Sequence, residues 1–239
     1  EALVAADAGL SSTLVRLANS PQYRGSTPVT STHQAVVRLG ARRALASAVT
    51  AAHRATYAFQ DPVLGDHVTA VWLSHFVTAT LAELLAQHVG VPHPTTVQCN
   101  TLFMLVGEVV ALRAAASLWP SRFDRGRPTP DLAPAVEHVV PTIGAKVLRT
   151  WEMPAIAVVY AQHLETPSLS DVDASLREGL VAARLARGTI SGRMFDPVVA
   201  TAPPLGPTER ALALRVGRPA LEDLARRAMR HARSVLDSA

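Results

Sequence analysis

The chain has 239 residues, 49% of them apolar and 18% charged, enough to bury a sizeable core and too apolar for disorder as its main state. Aromatic residues supply only 5% and alanine is the commonest type, a profile that suits closely packed helices better than a β-sandwich. The single cysteine, Cys99, excludes an intramolecular disulfide and any multi-cysteine zinc site, and it fits a reducing compartment. The net charge of +4 is a mild excess despite a sequence pI near 10.0, because Lys146 is the only lysine and the other basic residues are arginines. No long run of like charge demands a polyanionic partner.

Residues 1–10 lack the basic start and apolar run of a secretory signal. The richest apolar stretch, residues 101–119, is interrupted by Glu108 and Arg113, too broken for a membrane span. A cytoplasmic, soluble protein with no membrane partner is expected. The chain opens on Glu1 within an apparent element, so an upstream piece is expected to be missing.

Helical periodicity dominates from the start. Leu10, Leu14 and Leu17 form one stripe with Asp7 placed to cap it, and Pro21, Gly25 and Pro28 make residues 19–30 a loop. Ser31-Thr-His-Gln34 has the form of a capping box before a short helix that stops at Gly40. Residues 42–59 predict a helix burying Leu45, Val49 and Ala52, with Thr56 as a further candidate, before Asp61-Pro62 breaks the chain. The longest helix is predicted over residues 66–89, with Val68, Val71, Trp72, His75, Ala79, Ala82 and Ala86 on one stripe and Gly90 and Pro92 as its stop.

Thr95 or Thr96 predicts the start of one further helix reaching Pro120, followed by an exposed connection over residues 122–130. Helices are then expected at 142–150, 154–163, where Pro154 suits the first turn, and 171–187. Residues 188–207, with several prolines and glycines and no periodicity, read as a loop or linker, and 219–236 as a last helix. No strand alternates convincingly and no solenoid period repeats. The fold class is all-α: a compact multi-helix bundle over residues 1–187, the 188–207 linker, and a C-terminal helical extension over 208–239.

Particular residues then resemble a known family. Leu14-Val-Arg-Leu-Ala-Asn19-Ser20-Pro21-Gln-Tyr23, then Pro28-Val-Thr-Ser31 and Gln34-Ala-Val-Val-Arg-Leu-Gly40, resemble the opening of the HDOD domain, the HD-related output domain of bacterial signalling proteins. Val71-Trp72-Leu-Ser-His75 resembles that family's W-x-x-H helix, and Leu102-Phe-Met-Leu-Val-Gly107 stands where many members carry an LLHDIG-like segment. Ile143-Gly144-Ala-Lys-Val-Leu-Arg-Thr-Trp151-Glu-Met-Pro154 is similar to a third signature. The matches run in the expected order from residue 3 to residue 166.

In catalytic HD relatives, an adjacent His-Asp pair and two further His or Asp groups hold a divalent metal that activates water for phosphoester hydrolysis. Here Met104 and Leu105 occupy the pair's positions, and neither a thioether nor an isobutyl group ligates Mg²⁺ or Mn²⁺. His75 stands where the first ligand lies, but one imidazole does not make a site. No cofactor, metal or catalytic residue is therefore expected. A core-facing His75 with a hydrogen-bond partner is the plainer expectation. The other family-motif positions, Asn19, Ser20, Gly40, Trp72, Gly107, Gly144, Trp151 and Pro154, are read as structural: Asn19 ending its helix in left-handed backbone, Trp151 filling core volume.

Other chemistry finds little footing. Gly188-Thr-Ile-Ser191-Gly192 lacks the nucleophile-elbow pattern and its strand, Cys99 has no adjacent basic partner, and no glycine-rich phosphate loop is present. Arg38, Arg42 and Arg43 flank Gly40 between two helices. On the last helix Arg226, Arg227 and Arg230, with Arg233 nearby, are candidate nucleic-acid contacts, although a solvated helix face is the commoner reading and Glu222 is placed to pair with Arg226. That helix could instead dock a partner, or the other half of a homodimer, through Leu221, Leu224, Ala228 and Val235. The resulting expectation is a non-catalytic HDOD-like signalling module that binds a protein partner or small ligand. A divergent metal-dependent HD phosphohydrolase and a nucleic-acid-binding regulator are the alternatives.

Overall fold

The computed structural model describes residues 8–20, 23–55, 61–191 and 205–237. The architecture is all-α, as the composition predicts, and divides into two units, Glu1–Ala58 and Phe59–Ala239. The C-terminal helices belong to the same unit as the long central helix.

The first unit holds α1 (Ala8–Ala18), α2 (Thr32–Leu39) and α3 (Ala41–Ala55). Ser31 caps α2, its hydroxyl accepting from the Gln34 N–H at 3.2 Å, while Gln34 Oε1 reaches back to the Thr30 N–H at 2.9 Å. Leu14, Ala18, Val29, Ala35 and Ala44 form the core of this unit. The predicted inward Leu45 is instead 62% exposed, while Ala44, Ala46 and Ala48 are buried among the described side chains of α3; the side chain of Ala52 lies outside the described residues. Of the buried alanines, Ala44 is the residue of α3 that joins the core of the unit. Asp7 and Thr56 lie outside the described residues.

The second unit is built around α4 (His67–Val89), which packs against α5 (Pro94–Met104), α9 (Ala174–Ser191) and α11 (Arg218–Asp237). Every residue of the predicted stripe of α4 is buried, but so is nearly the whole circumference from Phe76 to Ala86. A helix apolar all round is the centre of a bundle. Its length and hydropathy would also fit a membrane span, yet 72% of its most apolar window is buried inside the fold.

The single helix expected up to Pro120 is two. Leu105 closes α5, which packs on α4, and α6 (Val106–Leu118) packs on α7 (Ala133–Thr150). Helix α7 starts well before residue 142 because Pro141 is carried inside it, at the loss of the one hydrogen bond its missing N–H would give the Glu137 carbonyl. Gly107 makes the α6–α7 crossing: a Cβ there would run into the Val140 carbonyl oxygen and lie 2.7 Å from the Gly144 nitrogen.

The connection over residues 122–130 is a miniature hairpin, β1 (Phe123–Asp124) paired antiparallel with β2 (Arg127–Pro128). Its Gly126, at φ 82°, is buried against the Leu64 carbonyl where no side chain fits. This docking sets Arg127 beside the start of α4. After α8 (Ala155–Gln162), α9 runs four residues beyond Arg187 to Ser191, into the expected linker. Residues 192–204 lie outside the described residues, and α10 (Pro207–Val216) precedes α11. Arg184 on α9 ties the two segments together, its Nε 2.8 Å from Oε1 of Glu209 on α10, both side chains buried.

Candidate functional site

His75 projects from α4 into the bundle, one turn after Trp72, and is 3% exposed; Trp72 stacks on Phe76 with ring centroids 5.6 Å apart. A buried imidazole needs a partner, and His75 Nε2 lies 2.9 Å from Oε2 of Glu108 on α6. Burial works against ionisation of Glu108, but the charge and hydrogen bond of His75, then Arg187 and His67, pull its carboxyl down to about 2. An ionised carboxylate only accepts, so Nε2 carries the hydrogen.

Around this pair is a wider charge constellation. His67, on the first turn of α4, is held below its ordinary pKa by burial and by Arg127 of the hairpin. Arg187 of α9 grips Glu165 at 2.7 Å and lies in the field of both Glu108 and Glu137. Glu137 on α7 is pushed upward by burial first and then by the neighbouring carboxylates Glu165 and Glu108, against the pull of Arg187. Four helices, the hairpin and the 165 loop thus converge their charges on one end of the bundle.

The residues present do not fit the divalent centre that the HD resemblance implies. Met104 and Leu105 are fully buried in the apolar core, and they offer no hard donor. His75 Nε2 already donates to Glu108, and among the described residues no three His, Cys, Asp or Glu side chains cluster closely enough to share a metal. His75 is sealed from solvent, while the Glu108 side chain is partly exposed. What the pair does is tie α4 to α6.

The remaining motif positions are scaffold. Asn19 ends α1, but not in left-handed backbone: its side-chain amide donates to the Val29 carbonyl at 2.7 Å and accepts the Val29 N–H at 2.8 Å, closing the loop as a strand partner would. The Ser20 carbonyl accepts from the N–H groups of Tyr23 and Arg24 at 3.0 and 2.8 Å. Gly40 ends α2, its N–H donating to Val36. Trp151 does not fill the core, being 46% exposed. It caps α7 where Glu152 turns left-handed at φ 52°, so that Met153 can pack inward and Pro154 can open α8 as its N-cap. The turn, not the indole, is what that signature builds.

Cys99 is pushed up to about 11 by burial and by Glu83, which suits a packing role. On α11, Arg226, Arg227 and Arg230 are exposed; Glu222 pairs with Arg218 at 3.0 Å, and Arg226 lies 3.6 Å from Asp223. Leu224 and Ala228 are buried and Leu221 half-buried on a helix packed against α4, so this stripe is already covered. The side chain of Val235 lies outside the described residues.

Two acids carry more than their sequence context indicates: there Glu108 is only a break in an apolar run, and nothing local marks Glu209. A signal for the first existed: a lone carboxylate in an apolar helix and a lone histidine on the apolar stripe of another each need a partner.

Residues 1–167 match the model of the HDOD domain family. The chain belongs to the HDOD family. Among solved structures, an HDOD domain protein of unknown function from Geobacter sulfurreducens superposes with a TM-score of 0.62 at 16% identity, over 95% of this chain and 83% of that one. A protein of Shewanella amazonensis SB2B, provisionally named a metal-dependent phosphohydrolase, also gives 0.62, at 17% identity over 97% of this chain and 82% of that one. At such identities the likeness is one of fold. No curated protein is similar enough to match the chain.

Proposed function

We propose that this HDOD protein is a non-catalytic regulatory module of bacterial signal transduction, acting in the cytoplasm by presenting its helices to a signalling protein partner. The observation that carries this reading is the burial of Met104 and Leu105 where HD relatives place their metal-binding His-Asp pair. The His75–Glu108 contact supports it further, because the one retained imidazole is committed to a neighbouring helix. A module with this interior acts through its surface and its packing.

Metal analysis together with phosphodiesterase assays on linear and cyclic nucleotides tests the proposal. The expected result is no stoichiometric transition metal and no turnover, with capture of a signalling protein by the intact chain from its native lysate. Stoichiometric Mn or Fe accompanied by nucleotide turnover would establish the phosphohydrolase reading instead.

A further inference from the structure

The last helix has one face committed to the bundle and one strongly charged face. Leu224, Ala225, Ala228 and Ala232 of α11 are buried and the helix packs on α4, with His231 tilted against Phe76 at 5.8 Å between ring centroids. On the opposite side Arg226, Arg227, Arg230 and Arg233 are all exposed. Arg226, Arg230 and Arg233 stand at i, i+4 and i+7, and Arg227 flanks Arg230 at i+3, so the four form one stripe about 10 Å long. Between Asp223 and Asp237 the helix carries these four arginines and no acid. The 3.6 Å contact of Arg226 with exposed Asp223 is a weak surface pair that a phosphate can displace.

We propose that this arginine stripe is a docking surface for the phosphate backbone of double-stranded nucleic acid. Three features select that partner. The apolar stripe of α11 is covered by α4, which removes the free apolar face an interfacial membrane helix must insert. Four like charges in one stripe call for a partner that carries closely spaced negative charge along a line, as a phosphate backbone does. Every cation is an arginine, whose planar guanidinium pairs with phosphate in bidentate fashion. A 10 Å line of such groups spans about three phosphates along one strand. The contact reads backbone and not bases, so the binding is independent of sequence. It stands apart from the regulatory reading above.

The test is fluorescence anisotropy with the full chain and labelled duplex DNA of mixed sequence, titrated from about 50 to about 200 mM salt. Binding should weaken with a log–log slope of about −3, at roughly −0.9 per phosphate contact. The quadruple variant R226Q/R227Q/R230Q/R233Q should keep the wild-type helix content and melting temperature, lose tenfold or more in affinity and flatten the slope. Single Arg→Gln changes should each reduce the slope by up to about 1, and together by no more than the wild-type total of about 3. Absence of salt-sensitive binding by the wild type, or undiminished binding by the quadruple variant, overturns the proposal. So does equal or tighter binding to phosphatidylserine vesicles or to polyglutamate under the same conditions, which would assign the stripe to a membrane surface or an acidic protein. Loss of DNA binding by the variant while partner capture persists would leave the regulatory reading intact.

Discussion

Truncating Glu108 isolates what the His75–Glu108 contact does. In E108A the imidazole, 3% exposed, keeps its place on α4 but loses the acceptor for Nε2–H. Stranding a buried donor costs about 1–3 kcal/mol. Breaking a fully buried charged pair would cost more, about 3–5 kcal/mol, but the Glu108 side chain is 34% exposed, and water screens the remaining charge. About 2 kcal/mol is the resulting expectation, which lowers the melting temperature of a unit of this size by about 4–8 °C. E108Q retains an acceptor oxygen and should lose roughly half as much.

The pH dependence supplies a second, independent readout. Glu108 titrates near 2 in the folded protein, below the ordinary value of about 4.3 for the unfolded chain. Between those limits the unfolded state binds more protons, so stability rises with pH and is lost as pH falls through the folded value. Thermal melts followed by circular dichroism from pH 6 down toward acid should show this slope in the wild type and a shallower one in E108Q. A melting temperature for E108A within 1 °C of wild type, or an acid limb unchanged in E108Q, would refute the assignment of the pair as a tie between α4 and α6.

Three further outcomes follow from the packing. G107A places a methyl against the Val140 carbonyl and the Gly144 backbone, so α6 and α7 must separate; a loss of about 3 kcal/mol is expected in urea unfolding, and wild-type stability would contradict the tight crossing. N19A removes both hydrogen bonds to buried Val29 and should destabilise the first unit by about 1–3 kcal/mol, visible as faster amide exchange of Val29 and its neighbours. R184A leaves the Glu209 carboxylate buried without its cation and should cost about 3–5 kcal/mol, whereas the double change R184M/E209L should recover much of the loss. If the double variant is no better than the single one, the buried charge is not the cause.

How much of this was legible beforehand follows from which forces act along the chain and which act across it. The long stripe of α4 could be read because nearest-turn periodicity reports burial directly, and the Ser31–Gln34 cap because its chemistry is local. Leu45 misled because hydrophobicity names candidates for burial, while the phase is fixed by tertiary contacts that put the adjacent Ala44 in the core. Pro141 hid the first half of α7, since tertiary packing against Gly107 tolerates one lost hydrogen bond that a local rule treats as a stop. Trp151 misled for the opposite reason: the motif is recognisable, but its constraint lies in the left-handed Glu152 and the turn into Pro154. His75 lies inside; its partner, 33 residues away, is legible only as the other isolated polar group in an apolar run, because no local spacing pairs the two.

The consequence of Met104 and Leu105 reaches beyond missing ligands. A metal centre needs polar donors converging on a hydrated ion, and the same space here is filled by side chains with no measurable exposure or nearly none. Burying a Met and a Leu contributes about 1.5–3 kcal/mol each. Returning a His and an Asp to those positions would forfeit that contribution and place an unpartnered carboxylate in the core, costing several kcal/mol more unless ion binding compensated. His75 would first have to release Glu108, stranding a carboxylate whose low pKa depends on it. Fold stability and metal binding are therefore opposed at this spot in this chain.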